Sequence, residues 1–472
     1  MRSSDTPEGT EARARTEAIH IGSRRELFVD NFLVEKTDGV EFRLQTPQRQ
    51  PRPKSPLVGG YATVIKEATL YRGYYRDEAP GYAGERGDGH PGEITCYAES
   101  RDGHEWTFPK LDCSDVAGPH GRNVILAGQA PFSHNFSPFF DKRPGVVASE
   151  RFKALAGKRP AGLFGFASSD GIHWRKMGDT PAIPYKEEWL HAFDSQNVVF
   201  WSEPEGCYVC YLRTWATPHG RLRSVSRSVS EDFRTWSEPV CMAPNRPGEE
   251  LYTTQTHPYF RAPHIYVATP TRFTHGLIAG KPALNEEGKR LNIGSTDILF
   301  MSSRAGSATY DRLFPEAFIR PGLDPERWEN RANYMALNVV PTSRTEMSLY
   351  NARSGDRYTL RADGFVSVHA GATEGELRTR PILFEGDELR LNCSTSVAGS
   401  VRVEIQSADG AALPGFGLDD SEPLVGDTID GAAAWKDNPN LAALAGKPVR
   451  LRFAMKECDL YSFIFQGTAQ LP

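Results

Sequence analysis

One short motif recurs along most of this chain, each time directly after a predicted strand. A Ser, an Asp two residues later and a Trp four residues after that occur at Ser100, Ser168 and Ser230, and weaker copies begin at Ser302 and Arg361. Successive copies start 68, 62, 72 and about 60 residues apart. Recurrence at such a period is typical of radially repeated β units, so the chain is predicted to be all-β.

The motif has a local physical reason. Its Asp is predicted to cap a turn, and the Gly that follows at Gly103 and Gly171 can take a positive φ at no steric cost. The indole three residues after the Gly is predicted to pack between neighbouring sheets, because aromatic side chains bury a large apolar surface.

The repeats also begin in the same way, with polar residues followed by an apolar strand. This pattern occurs at residues 134–140, 194–201, 254–260 and 333–340, after a first repeat that begins near Tyr61. Five such units after a lead-in strand at 26–34 predict a five-bladed β-propeller whose first strands surround a central axis.

The last hundred residues have a different pattern. Residues 388–392, 400–405 and 449–453 alternate between apolar and polar side chains, as antiparallel strands with one buried face do. We therefore predict three parts: a disordered or extended N-terminus at 1–25, a five-bladed propeller catalytic domain at 26–364, and a β-sandwich at 365–472.

Charge and hydrophobicity exclude several classes of function. The 472 residues carry 55 basic and 60 acidic side chains, a net charge of −5 without a long run of one sign, so neither a nucleic-acid nor a membrane-surface partner is expected. No apolar run approaches eighteen residues, and residues 1–25 do not resemble a secretory signal. The seven cysteines are odd in number and scattered. These features predict a cytoplasmic protein, or a secreted one if a signal has been removed, and leave a homo-oligomer open.

The candidate site follows from strand geometry. In an antiparallel blade the end of the second strand lies beside the start of the first, so polar residues at these places should converge on one mouth of a central channel. The predicted substrate-binding residues are those at strand starts and strand-two ends: His134, Asn135, Gln196, Gln255, His257, Arg76, Arg213, Arg272 and Arg331. Purely structural roles remain open for Asp194 as a turn cap, for either histidine as a packing residue and for the arginines as scaffold ion pairs.

The chain resembles the five-bladed propeller glycosidases of glycoside hydrolase families 32, 43 and 68. The Ser-x-Asp-Gly-x-x-Trp turns carry the likeness, although Phe233 replaces the Gly in the third, and sialidases use a related turn on six blades. The resemblance implies hydrolysis of furanosides or related sugars by carboxylates from different blades: a nucleophile or base, a stabilising carboxylate and an acid. The Trp-Met-Asn-Asp-Pro-Asn-Gly and Glu-Cys motifs of the sucrose- and fructan-cleaving members are absent, and Arg76-Asp77 is only similar to their Arg-Asp-Pro.

Asp194 is the first candidate for a catalytic carboxylate. Asp77 follows, then Asp297 at the predicted start of a third strand, with Glu250 as the acid. The preferred prediction is a glycoside hydrolase that acts in exo fashion on a small glycan. The alternatives are a lyase or hydrolase for acidic sugars, in which the arginines bind the acid group and a histidine transfers the proton, and a propeller that binds glycans without catalysis. No cofactor is predicted; a metal held by His134, Asp194 and His257 is left open.

Overall fold

The protein is described from a computed structural model. It covers residues 18–467, apart from residues 52, 218, 219, 279, 280, 283, 290 and 438. Residues 1–17, the greater part of the predicted disordered N-terminus, lie outside the described residues. Two units divide the chain, one formed by Thr46–Leu360 and the other by the residues on either side of it.

The described residues confirm the all-β prediction, because helical structure is limited to turns of three or four residues. These 3₁₀ turns are Phe132–His134, Ala148–Glu150, Glu187–Trp189, Pro325–Trp328 and Leu441–Leu444. Within the same residues, none of the helices has the length and apolar character needed to cross a membrane.

Three antiparallel meanders follow one another in the first part of unit Thr46–Leu360. The first sheet consists of Ala62–Glu67, Leu70–Glu78, Glu93–Ser100 and Val124–Leu126. The second sheet consists of Ser137–Phe140, Phe152–Lys158, Gly162–Ser168, Arg175–Lys176 and Ile183–Pro184. The third sheet consists of Val198–Ser202, Cys207–Thr217, Gly220–Ser230 and Val240–Cys241. Apolar residues such as Tyr74, Phe166 and Tyr211 are fully buried in these sheets.

The fourth repeat is split into two three-stranded pieces, because its second and third strands are interrupted. One piece consists of His257–Tyr259, Ala262–Ala268 and Met301–Arg304. The other consists of Glu250–Thr253, Thr271–His275 and Gly294–Ile298, and Leu277–Ile278 pairs with Lys281–Pro282 nearby. Pro270 lies at the interruption of the second strand, where its missing N–H would break a continuous ladder.

The fifth sheet joins the two ends of the unit. It consists of Val340–Pro341, Glu346–Tyr350, Arg357–Arg361 and, as its outer strand, Gln48–Arg49 from before the first sheet. The innermost strands of the first four repeats contact one another in chain order, the Val339 N–H of the fifth repeat donates to His257 Nε2 of the fourth over 3.0 Å, and the last innermost strand contacts the first. Backbone bonds support this contact: the Val64 N–H donates to the Leu337 carbonyl over 3.0 Å and the Leu337 N–H to the Ala62 carbonyl over 2.8 Å.

The recurrent motif forms the same turn three times. In the first copy the Ser100 hydroxyl accepts from Gly103 N over 2.8 Å, and Asp102 Oδ1 accepts from His104 N and Glu105 N over 2.7 and 2.9 Å. The copies at Ser168 and Ser230 repeat these bonds. The expected packing of the indoles between sheets is confirmed for Trp106, which contacts Tyr350 of the fifth sheet, and for Trp174, which contacts Tyr74 of the first.

The other unit is built around a ten-stranded sheet. Its strands are Ile19–Gly22, Glu26–Leu27, Val34–Asp38, Val40–Leu44, Val366–Ala370, Gly375–Thr379, Ile382–Phe384, Glu388–Ser407, Asp427–Ala432 and Val449–Gln466. Ser421–Glu422 pairs with Ala434–Trp435. The assignment of residues 26–45 to the repeat domain, with 26–34 as its lead-in strand, is therefore wrong. Their strands pair with those of the C-terminal segment, since Val40–Leu44 takes Val366–Ala370 as its partner and Val34–Asp38 takes Gly375–Thr379.

Candidate functional site

Side chains from three neighbouring repeats meet where the innermost strands begin. We call this group the mouth and define it by Arg76, Glu93, His134, Asp194 and Arg213. Arg76 and Glu93 come from the first sheet, His134 and Asp194 precede the innermost strands of the second and third sheets, and Arg213 lies in the second strand of the third, four residues before that strand ends. Arg76 approaches His134 as predicted, with Nη1 2.9 Å from Nδ1, whereas Arg213 lies near Asp194 from inside a strand that continues beyond its predicted end.

The backbone around Asp194 is held by two buried amides. The Asn135 Nδ2 group donates to the carbonyls of Phe193 and Ser195 over 2.9 and 3.0 Å, and Asn197 Nδ2 donates to the same two carbonyls over 3.1 and 2.9 Å. The Asn197 Oδ1 atom accepts from Arg213 N over 3.1 Å. Because both amides are buried and fully engaged, Asp194 is presented on a rigid segment while its own side chain stays 32% exposed.

His134 lies between two carboxylates. Its Nδ1 atom is 2.9 Å from Glu93 Oε1, and its Nε2 atom is 3.8 Å from Asp194 Oδ1. Gly89 N and Arg76 Nη1 also approach Nδ1, over 3.1 and 2.9 Å. Only 3% of the imidazole is exposed, so Glu93 and its neighbours fix the plane of the ring.

These neighbours set the protonation of the mouth. Burial acts to lower the pKa of His134, but the carboxylates of Asp194 and Glu93 outweigh it and raise this pKa above the ordinary value. Burial acts to raise the pKa of Asp194, yet His134, Arg213 and Lys158 lower it below its ordinary value. The mouth therefore combines a carboxylate that stays ionised with an imidazole that favours its charged form.

Arg76 is locked by two glycines of the preceding loop. Its Nε and Nη2 atoms donate to the Gly59 carbonyl over 3.1 and 2.7 Å. Gly59 and Gly60 have φ of +98° and +99°, and a Cβ on Gly59 would lie 1.9 Å from the Arg76 carbonyl oxygen, so only glycine fits there. The guanidinium also lies over the Tyr61 ring, 4.8 Å from its centroid.

A tyrosine stack with three guanidinium groups borders the mouth. Tyr334 stacks on Tyr61 and on Tyr252, with ring centroids 6.0 and 5.2 Å apart. Arg213, Arg223 and Arg331 lie over the Tyr252 ring at 4.5, 5.4 and 5.4 Å. Burial, with Tyr252 and Asp194 nearby, raises the pKa of Tyr61 well above its ordinary value, so this phenol stays protonated.

Backbone strain marks the start of three innermost strands. Phe193, Gln255 and Arg331 have φ of +66°, +52° and +53°, in the left-handed region that side chains with a Cβ disfavour. Such residues cost on the order of 1 kcal/mol each and cluster where a side chain must be aimed for function. One of them directly precedes Asp194.

The glutamines predicted to bind substrate are buried between the innermost strands. Gln196 Nε2 donates to the Ala62 carbonyl and to the Thr63 hydroxyl over 3.1 and 2.9 Å. Gln255 Nε2 donates to Gln196 Oε1 and to the Met335 carbonyl over 2.7 and 2.6 Å. Asn135 is likewise occupied by backbone groups, so the structure places these amides as supports that join neighbouring repeats.

Convergence on one mouth does not hold for His257, which lies at the other end of the innermost strands. There a cavity of about 200 Å³, which we call the far-end cavity, is lined by residues that include Phe139, Phe200, His257, Phe260 and Val339. The His257 Nε2 atom accepts from Val339 N over 3.0 Å, and Nδ1 is 2.9 Å from the Gln255 carbonyl. Burial lowers the pKa of His257 to about 4.

The remaining predicted carboxylates have partners of their own. Asp297 forms a two-pronged ion pair with Arg272, with Nε–Oδ1 at 2.9 Å and Nη2–Oδ2 at 2.5 Å, and it lies near the end of its strand instead of at the start. Glu250 pairs with Arg223. Asp77 accepts from Glu78 N over 2.8 Å, and burial raises its pKa.

Arg331, one of the arginines predicted to bind substrate, also has partners within the protein. It donates to Asn330 Oδ1 over 3.0 Å and to the Asn292 carbonyl over 3.1 Å.

Sequence reasoning missed Glu93, Tyr61, Asp88 and Lys158. Tyr61 directly precedes the innermost strand of the first repeat, and His134 and Asp194 lie shortly before the innermost strands of the second and third. An alignment of the repeats could therefore have identified Tyr61. Asp88 lies in the Gly- and charge-rich insertion after the Leu70–Glu78 strand, and Glu93 begins the strand that follows. The length and composition of that insertion were the available signal.

Within the described residues, two groups of side chains have the composition of a metal site. Asp88, His134 and Asp194 form one and Asp112, Cys113 and His173 the other, and within each group the ligand atoms lie within 4.8 Å of one another. Of the three ligands considered from the sequence, His134 and Asp194 lie together, with Asp88 as their neighbour in place of His257. All seven cysteines are free.

Comparisons with known proteins give distant likenesses in structure. No family model matches the chain, and no curated protein matches it either. A solved glycoside hydrolase covers 76% of this chain and 96% of its own at 14% identity and a TM-score of 0.41. A thermostable family-43 glycoside hydrolase covers 68% and 96% at 12% identity and a TM-score of 0.42. The exo-inulinase of Aspergillus awamori covers 90% and 98% at 12% identity and a TM-score of 0.35. At these values the likenesses assign no activity, so the function has to be argued from the site.

Proposed function

We propose that this protein is a carbohydrate-active enzyme that hydrolyses a glycosidic bond at the mouth. The observation that carries the proposal is the array of Glu93, His134 and Asp194, in which a rigidly held, partly exposed carboxylate stays ionised beside a buried imidazole that favours its charged form. Glycoside hydrolysis needs these two roles, since one group must attack or activate water while another donates a proton to the leaving oxygen.

The roles follow from the protonation of each group. Asp194, ionised at neutral pH, serves as the nucleophile or as the base that activates water. His134 serves as the proton donor, and Glu93 holds its ring in place through Nδ1. Tyr61 and Arg76 border the same space and offer hydrogen-bond donors to sugar hydroxyls.

We further propose that Thr46–Leu360 is a five-bladed propeller and that the ten-stranded sheet of the other unit belongs to a β-sandwich. For the propeller, the support is the chain-order contact of the innermost strands and the outer strand that Gln48–Arg49 gives to the fifth sheet. For the sandwich, the support is the continuous apolar core on that sheet, which includes Leu391, Val403 and Phe453.

The decisive variant is Asp194→Asn, which keeps the shape of the side chain and removes its charge. We expect hydrolysis to fall by on the order of 100-fold or more while glycan binding persists. The assay is release of reducing ends from a panel of furanosides and small oligosaccharides, with binding followed by calorimetry. Asp179→Asn, at a fully exposed aspartate, is the matched control and should retain full activity. Full activity in Asp194→Asn would remove Asp194 from the mechanism.

A second candidate is a lyase or hydrolase for acidic sugars. It is favoured by Arg213 and Arg331, whose guanidinium groups near Tyr252 form no ion pair with a carboxylate in the described part of the chain, although Arg213 acts on Asp194 from a longer distance. Arginine can bind a carboxylate or sulfate through two parallel hydrogen bonds. Uronate and sulfated substrates in the same panel test this candidate, since lyase action leaves an unsaturated product that absorbs in the ultraviolet. Binding without turnover of any panel member would instead indicate a glycan-binding module.

A further inference from the structure

The mouth contains a set of side chains that can coordinate a cation. Asp88 extends from the insertion after the first repeat's second strand, His134 ends a 3₁₀ turn, and Asp194 precedes the innermost strand of the third sheet. One carboxylate oxygen from each aspartate and one imidazole nitrogen lie within 4.8 Å of one another. Two oxygens and one nitrogen from three separate segments match the ligand types that first-row divalent cations take in catalytic sites.

The His134 Nε2 atom is aimed into this group without a hydrogen bond. The side chain is only 3% exposed, and Asp194 Oδ1 is 3.8 Å away, beyond hydrogen-bond reach. Among the described residues, the hydrogen bonds of the imidazole all involve Nδ1. The gap between His134 Nε2 and the Asp194 carboxylate leaves room for an ion that both atoms contact.

The size of the gap suits a small divalent cation. Zinc lies about 2.0–2.2 Å from imidazole nitrogen and carboxylate oxygen, so two ligands at a tetrahedral angle are about 3.4 Å apart. The observed 3.8 Å separation of His134 Nε2 and Asp194 Oδ1 needs an inward movement of only a few tenths of an ångström. Asp194 has a partly exposed side chain that can make this adjustment.

Glu93 supplies the support that metal-binding histidines usually have. A ligating imidazole commonly donates its other N–H to a carboxylate, which fixes the ring and increases the basicity of the ligating nitrogen. Glu93 Oε1 and Oε2 lie 2.9 and 3.0 Å from His134 Nδ1, and Glu93 itself is outside the group of three ligands. This leaves Nε2 as the free nitrogen, 3.8 Å from Asp194 Oδ1.

The insertion that carries Asp88 is anchored against the second repeat. Lys158 Nζ donates to the Asp88 carbonyl, and Gly89 N lies 3.1 Å from His134 Nδ1. Gly89 has φ of +76°, and a Cβ there would lie 2.8 Å from Pro131 Cβ, so glycine allows the close approach. The position of Asp88 beside His134 is therefore fixed by the backbone.

We propose that Asp88, His134 and Asp194 bind one divalent cation of the Zn²⁺ or Mn²⁺ class, with a coordination position left for water or a substrate oxygen. Any catalytic use of the cation rests on the proposed function of the mouth, whereas the binding itself does not. In that use the cation would polarise the substrate oxygen or lower the pKa of a bound water. His134 Nε2 and Asp194 would then be ligands, and the cation-bound water would take over the attacking and proton-donating roles that these two side chains have in the metal-free mouth.

The test is calorimetric titration of the full chain with Zn²⁺ and with Mn²⁺ after treatment with a chelator, without any glycan present. Because Asp112, Cys113 and His173 could take a second ion, the titration is done in the Cys113→Ser background as well as in the wild type. We expect one equivalent to remain in Cys113→Ser, and we expect Asp88→Asn to weaken its binding at least tenfold.

The control is Asp115→Asn, which changes a fully exposed aspartate and should leave the affinity unchanged. Asp88 is exposed, so thermal unfolding of Asp88→Asn should match the wild type and exclude misfolding as the cause. No bound equivalent in Cys113→Ser, or an unchanged affinity in Asp88→Asn, would overturn the proposal. Because glycan is absent from the titration, failure to find a sugar substrate does not affect this result.

Discussion

The innermost strands of the repeats end in two very different environments. At the mouth, His134 is buried between Glu93 and Asp194, and its pKa is raised. At the far-end cavity, His257 is buried with backbone partners only, and its pKa is lowered to about 4. Both histidines are removed from water, so the difference comes from the charge of their partners. A cavity of about 200 Å³ is therefore less informative about chemistry than a small group of opposed charges.

The first way to sharpen this comparison is to remove packing at the far end. Phe200 lines the far-end cavity and contacts Tyr211 and Tyr266, with ring centroids 6.2 and 5.0 Å away. Phe200→Ala should lower the free energy of unfolding by about 3–5 kcal/mol, since it removes a buried ring and leaves a cavity. Denaturant unfolding measures this loss. At a temperature where the variant is folded, its kcat/KM should stay within about twofold of the wild type, and a selective loss of turnover would assign a function to this end.

The second test uses the pH dependence of stability. The pKa of His257 is about 4 in the folded protein and about 6.5 in the unfolded chain, so between these values the unfolded state binds more protons. The contribution of His257 is present above about pH 6.5 and is lost as the pH falls to 4, by about 3 kcal/mol. His134, with a raised pKa, contributes in the opposite direction, since its stabilisation is lost as the pH rises.

Unfolding midpoints of the wild type and of His257→Gln, measured from pH 4 to pH 7, isolate the far-end histidine. The other titrating groups cancel in the difference between the two proteins, and the wild type should lose more stability on acidification than the variant. Equal slopes would mean that His257 is charged or accessible in the folded protein. His20→Gln, at an exposed histidine, provides a control for the substitution itself.

The third and smallest expected effect is at the mouth. Glu93→Gln removes the negative charge from the Nδ1 side of His134 and so should lower the pKa of the imidazole. Activity should fall by on the order of tenfold, which is the value of one charge-assisted hydrogen bond. The basic limb of the pH–activity profile should move to lower pH, a change that a merely structural role for Glu93 would not cause. Glu238→Gln, at an exposed surface ion pair, should leave the profile unchanged.

Local features of the fold were predictable because neighbouring residues determine them. The turns at Ser100, Ser168 and Ser230 follow from side chains that bond the backbone two or three residues away, and the three copies share the same bonds. The partners of residues 26–45 were not predictable. Apolar alternation fixes which face of a strand is buried but does not say which distant strand it will pair with.

The same limit applies to the candidate site. The positions of Asp194 and His134 at strand starts could be predicted, and so could the approach of Arg76 and Arg213. The direction of each side chain could not, since Gln196 and Gln255 turn inward to bond neighbouring strands while Asp194 stays partly exposed. Glu93 and Asp88 reach the mouth only because an insertion folds back, which no local pattern encodes.

The sequence by itself determined the strands, the recurrent turns and the polar residues that begin each repeat, because short-range bonding and period-two burial are written in adjacent residues. Only the tertiary structure decided which of those polar residues share one environment. The protonation of His134 depends on Glu93 and Asp194, which are tens of residues away along the chain but within 4 Å in space. Electrostatic interaction depends on that spatial distance and on the local dielectric, so the chemistry of the mouth exists only in the folded chain.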